Sequence, residues 1–230
     1  MIDSIPYWLS GLFIATALAT LMLYFRAHAV SKLAAALICF WTIFQSFLAF
    51  TLFYRVTDTL PPRYALVLIP AAIFIIIGLT NKPLERLLTS KNLKKSTLIH
   101  TVRIPVELCL YYLFVHDQVP EILTFSGRNF DILAGITAPL VIRLYHLKVL
   151  GLRGMLYWNI ASLALVLFIL VNGILSSELP FQVFALDQPN VAMTYFPFVL
   201  LPALIVPLVV YTHITDIIFI RRKLKGVRTV

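Results

Sequence analysis

The sequence predicts an all-α polytopic membrane protein, a bundle of seven transmembrane helices with its N-terminus outside and its C-terminus cytoplasmic. Three observations carry this. Of 230 residues, 60% are hydrophobic and only 13% charged, about half the roughly 25% charge of a soluble domain. Mean hydropathy is +0.92. The apolar residues form continuous runs between charged breaks, unlike the alternating pattern of a membrane β-barrel. Seven spans of roughly 20 residues would use most of that apolar content. The composition excludes a soluble enzyme, a disordered chain and a nucleic-acid module.

The spans follow from the breaks. The first, residues 6–25, has Asp3 as its only early charge and lacks the basic leader of a signal peptide, although Ala27-His28-Ala29 imitates a cleavage site. It is expected to remain as an uncleaved helix. Next come 33–54, with Gln45 and Ser46 as inter-helix contacts, and 64–80. The fourth, 98–115, contains His100, Arg103, Pro105 and Glu107; the fifth is 130–150; the sixth, 155–175, holds Asn159 and Asn172. Asparagine within lipid commonly bonds to a neighbouring helix. The last, 191–220, carries Pro197, Pro202 and Pro207. Each proline lacks an N–H, so this helix should be kinked, with freed carbonyls that need partners. The longest hydrophilic loop, 81–97, is too short to fold alone, so residues 1–230 form one membrane domain.

Orientation follows from the bases. With the N-terminus outside, the inner segments hold 15 lysines and arginines, among them Arg26, Lys32, Lys91, Lys94, Lys95, Arg143, Arg221 and Arg228. The outer loops hold three, Arg55, Arg63 and Arg128, and Arg103 lies within a span. This is a positive-inside pattern. It also accounts for the net charge of +9 without nucleic acid, and it sets the basic rim against anionic lipid headgroups, each base contributing about 1 kcal/mol near the surface. A bacterial inner membrane is the expected location.

Charges placed in lipid are functional candidates by default. His100, Arg103 and Glu107 are spaced three, four and seven apart, which puts them on one helical face. Counting from Lys95 at about 1.5 Å per residue, Arg103 lies about 12 Å deep and Glu107 about 18 Å, near the midplane. Either Arg103 and Glu107 form an i,i+4 ion pair that eases insertion, or they belong to an intramembrane site. His213 in the last span lies at a depth similar to Arg103 and is expected to converge with it. Asp216 is shallower and suits a pairing with Arg221–Lys223. Asn129 and Asp131 open the fifth span, either as caps of an outward-facing helix or as a polar outer mouth.

The motifs exclude more than they assign. No lysine stands deep in the last span, so no retinal Schiff base is expected. The Pro-Gln pair of seven-helix sugar transporters, the Asp/Glu-Arg-Tyr triplet of receptors, and the signatures of intramembrane proteases and lipid headgroup transferases are absent. Cys39 and Cys109 sit in apolar runs without a metal or disulfide pattern. His100 and His213 leave open a haem or metal bridged between helices, but the five histidines lack any ligand spacing. The leading reading is passage of an ion or small polar solute through an intramembrane site formed by Arg103, Glu107, His213 and His100. The alternatives are a membrane enzyme acting on a lipid-soluble substrate and a non-catalytic subunit or assembly factor.

Overall fold

The computed structural model describes residue 2 and residues 4–57 and 59–226; Asp3 and Arg228, two of the charges used above, lie outside the described residues. Among the described residues there are helices and no strands: α1 (Tyr7–Ala27), α2 (Lys32–Phe50), α3 (Ala65–Gly78), α4 (Asn81–Thr89), α5 (Leu93–Leu98), α6 (Arg103–Val115), α7 (Ile132–His146), α8 (Leu152–Leu175) and α9 (Val206–Leu224). Five stretches are long and apolar enough to cross a membrane: α1, α2, Leu93–Val115, α8 and Leu201–Leu224. These support membrane insertion.

The two remaining runs depart from expectation. The run 64–80 yields α3, of 14 residues, which reaches span length only together with Pro83–Thr89 across a bend of 66°. The bend has a chemical reason, because α4 brings in Glu85 and Arg86 and ties to α9 through an Arg222–Glu85 bridge of 2.7 Å. The run 130–150 yields only the 15 residues of α7. The last span begins its helix at Leu201, not at 191.

Irregular but buried segments precede α7 and α9, and the second explains the late start of α9. Val119, Leu123, Thr124 and Asn129 precede α7, and Ala192, Met193, Phe198 and Val199 precede α9; all are buried. Buried backbone outside a helix must find hydrogen-bond partners; here local turns supply many of them, and residues 188–192 supply others by donating to carbonyls of residues 114–119. The amides of Val191 and Ala192 donate to the Gln118 carbonyl at 3.1 and 2.9 Å. The Gln188 side chain donates to the carbonyls of Phe114 and Val119 at 3.2 and 2.8 Å.

The prolines act locally. A π-helical turn spans Leu201–Ile205. Pro207 has no N–H for the Ala203 carbonyl, and the Trp41 indole of α2 donates to it instead at 3.0 Å. Helices α5 and α6 join through a 3₁₀ turn, Ile99–Val102. This turn places Pro105 in the first turn of α6, where a missing N–H costs little.

The bases gather at one end. Besides Arg222–Glu85, Lys94 reaches His146 at 2.5 Å and Lys91 reaches His28 at 3.1 Å. These contacts draw together the ends of α1, α7 and α9 with α4 and α5. Of the other polar groups expected to bridge helices, Gln45 does so: it donates to the Leu66 carbonyl and accepts from Tyr54. Asn172 and Ser46 instead bond carbonyls one turn back in their own helices.

Candidate functional site

Polar side chains of the α5–α6 span face those of α9 in a ladder. Ser96, His100, Arg103 and Glu107 recur at helical spacing on one side, and His213 and Asp216 stand opposite; all six are buried. From Ser96 to Glu107 the ladder extends about 16 Å along the helix. It divides into two clusters.

The first lies toward the base-rich end. Lys91 and Asp216 form an ion pair of 2.5 Å with both side chains fully buried. The ammonium also meets Thr215 Oγ1 at 2.9 Å and His28 Nε2 at 3.1 Å. Its three donors are thus all used. The second carboxylate oxygen of Asp216 accepts from Ser96 at 2.8 Å. Since the ammonium donates to His28 Nε2, the His28 proton sits on Nδ1 and points to the Tyr24 carbonyl at 3.1 Å. Burial, followed by the nearby Lys91 charge, pulls the His28 pKa down to about 3, so the ring is neutral. The expected pairing of Asp216 with Arg221–Lys223 is corrected here: Asp216 points into the bundle, and Lys91, one member of a run read as rim charge, is folded in to meet it.

The second cluster is deeper. The Arg103 guanidinium binds Asp131 Oδ1 at 2.8 Å and the Ser162 carbonyl at 3.3 Å, and its other terminal nitrogen meets His213 Nε2 at 2.8 Å. An arginine only donates, so Nε2 of His213 accepts and its Nδ1–H donates to Asn159 Oδ1 at 2.8 Å. No ion pair joins Arg103 to Glu107. Asp131 takes that place because α7 starts at this depth, and Gly135 permits the approach: a Cβ there would meet Arg103 Cβ at 3.2 Å. Glu107 instead accepts from the Asn129 amide at 2.7 and 2.8 Å. Asn129 and Asp131 are 1% and 6% exposed, so they form no open mouth. The segment before α7 dips inward and carries both to the ladder, with Asn129 Oδ1 accepting the Asp131 amide at 2.9 Å.

Residues 61–221 match the family described as Domain of unknown function (DUF8737). The chain belongs to this family. No curated protein and no solved structure matches it. The DUF8737 stretch contains every member of both clusters except His28.

Within this DUF8737 region, the link between the clusters is His100. Its ring stacks on that of His213 with centroids 3.8 Å apart and planes at 7°, and Trp158 lies edge-on at 5.5 Å. Neither ring nitrogen of His100 has a hydrogen-bond partner, and Nε of Arg103 also has none. Two rings stacked this closely leave no room for a haem or metal between them, and both nitrogens of His213 are engaged. Among the described residues, no three His, Cys, Asp or Glu side chains converge on a metal-sized site.

At the other end of the ladder a cavity of about 80 Å³ abuts Glu107, Asn129 and Asp131, with Asn190 in its wall and mainly apolar groups elsewhere. Liquid water occupies about 30 Å³ per molecule, so two or three waters fit. The unused lone pairs of a carboxylate that accepts from one amide give such waters a partner. The sequence alone did not place Lys91 or Ser162 in the ladder; Asn159, read there as an inter-helix contact, makes one to His213.

Proposed function

We propose that this chain is a seven-span membrane protein, N-terminus outside, that passes a proton or other small cation through the ladder between α5–α6 and α9. The observation that carries the reading is the cavity at Glu107: a buried carboxylate, held by an amide and not by a counter-ion, faces a space large enough for water. An acid placed this way is expected to take up and release a cation, whereas a carboxylate kept for packing is expected to be fully paired. His100, with two free ring nitrogens and its ring stacked on that of His213, is the natural relay beside His213. Arg103 is fixed between Asp131 and His213 and sets the barrier that a hydrated cation would meet. We place the protein in a bacterial inner membrane with the Lys91 cluster cytoplasmic.

The test is flux. Purified protein in vesicles enclosing a pH-sensitive dye should dissipate an imposed pH gradient, and Glu107→Gln should cut the rate at least tenfold without loss of folded protein. Vesicles no leakier than empty ones, with either sodium or potassium as counter-cation, would overturn the reading. The structural-subunit alternative would then take its place, since the buried ion pairs would serve packing alone.

A further inference from the structure

A second cavity, of about 430 Å³, lies on the opposite side of α9, between it and α1, α2, α3 and α4. Its volume falls within the roughly 300–1,000 Å³ of ligand sites. It is polarised along its length. At the base-rich end it is bounded by Ser31, Arg86 and Tyr24; at the other end Trp41, Ala71, Ala203 and Leu204 make it apolar. Ser31 to Trp41 on α2 corresponds to about 15 Å.

Two polar groups in its wall lack partners. Tyr24 is 5% exposed, and its hydroxyl bonds to none of the described residues, although the Tyr211 hydroxyl beside it donates to the Gly78 carbonyl at 2.9 Å. Arg86 makes no ion pair or side-chain hydrogen bond among the described residues, while Glu85 next to it is taken by Arg222. Tyr24 lines the cavity, so its unpartnered hydroxyl can meet a ligand there. A guanidinium lining the same cavity selects an anion, with phosphate oxygens matching its donor fork.

We propose that this cavity binds one anionic phospholipid of the base-rich leaflet. Its phosphate sits between Arg86 and the Tyr24 hydroxyl, and one acyl chain lies along α2 as far as Trp41. The second chain remains in the bilayer against the exposed face of α2, where Phe40 and Ile43 project outward. The proposal stands apart from ion passage, because none of its residues belongs to the ladder.

Native mass spectrometry of delipidated protein, offered dioleoyl phosphatidylglycerol or dioleoyl phosphatidylcholine, tests it. One phosphatidylglycerol should be retained per chain, at least tenfold in preference to phosphatidylcholine. Arg86→Ala, an exposed position where folding is not at risk, should bring the preference to within twofold. Tyr24→Phe should weaken retention about threefold, and Ala34→Trp, which fills the cavity, should abolish it. Should Ala34→Trp fail to fold, Arg86→Ala and Tyr24→Phe still decide. Equal retention of the two lipids, no retention, retention of an added fatty acid in place of phospholipid, or a preference unchanged by Arg86→Ala would overturn the proposal.

Discussion

The two ends of the ladder use the same chemistry to different effect. Around Lys91 and Asp216 the charges meet each other: the ammonium has three acceptors, and the carboxylate has a hydroxyl and the ammonium. Around Glu107 and His100 the matching is incomplete, with free ring nitrogens, a free arginine Nε and a cavity. A saturated buried cluster holds helices in register, and its members have nothing left to offer a ligand. An unsaturated cluster beside a cavity retains donors and acceptors for something that passes. Burial and charge alone do not distinguish a lock from a site; the accounting of hydrogen bonds does.

The largest effect should come from breaking the lock. Asp216→Leu leaves the Lys91 ammonium buried without its counter-ion and is expected to cost about 3–5 kcal/mol. The double change Lys91→Met with Asp216→Leu should recover most of that loss, as read by thermal unfolding in detergent. A single variant as stable as its parent would erase the distinction between the two ends.

Glu107→Gln should then do the opposite. Its amide oxygen still accepts from Asn129, so stability should change by about 1 kcal/mol or less while ion passage is lost. His100→Phe sharpens the point further. The ring keeps its stack on His213 and no hydrogen bond is removed, so unfolding should be unchanged or shift slightly upward, again with flux lost. A large destabilisation by either variant would make the deep cluster a second lock.

A smaller, graded effect is expected from pH. His28 titrates near 3 in the folded chain and near 6.5 when unfolded, so the unfolded state binds more protons between these values. Stability should therefore be complete above about pH 6.5 and fall as pH drops toward 3. His28→Gln should flatten that slope in a thermal-melt series. The smallest effect belongs to the rim: Arg55–Glu178, about one-third exposed on each side, should contribute no more than about 1 kcal/mol, and Arg55→Gln should barely move the melting temperature.

Much of this was legible in the residues. Apolar runs mark the helices, and the three–four spacing from His100 to Glu107 marks a shared face, since helical geometry is local. What faces that face is not local. Asn129 and Asp131 precede a helix and follow a loop, and nothing in their spacing reveals that the loop dips inward to meet Arg103. Lys91 stands in a run with Lys94 and Lys95 and reads as rim charge, and only the return of α9 brings Asp216 to it. The late start of α9 was hidden for the same reason, because its irregular lead-in is as apolar as a helix and is held by the Gln118 carbonyl of a distant loop.

The most direct measurement is water access at position 107. With Cys39 and Cys109 replaced by serine and Glu107→Cys installed, membrane-impermeant thiol reagents are applied from each side in turn. Labelling from at least one side, in protein that remains folded, is the predicted result, with Lys91→Cys silent in the same background. Silence at position 107 from both sides would contradict an aqueous path to the ladder and leave both ends as locks.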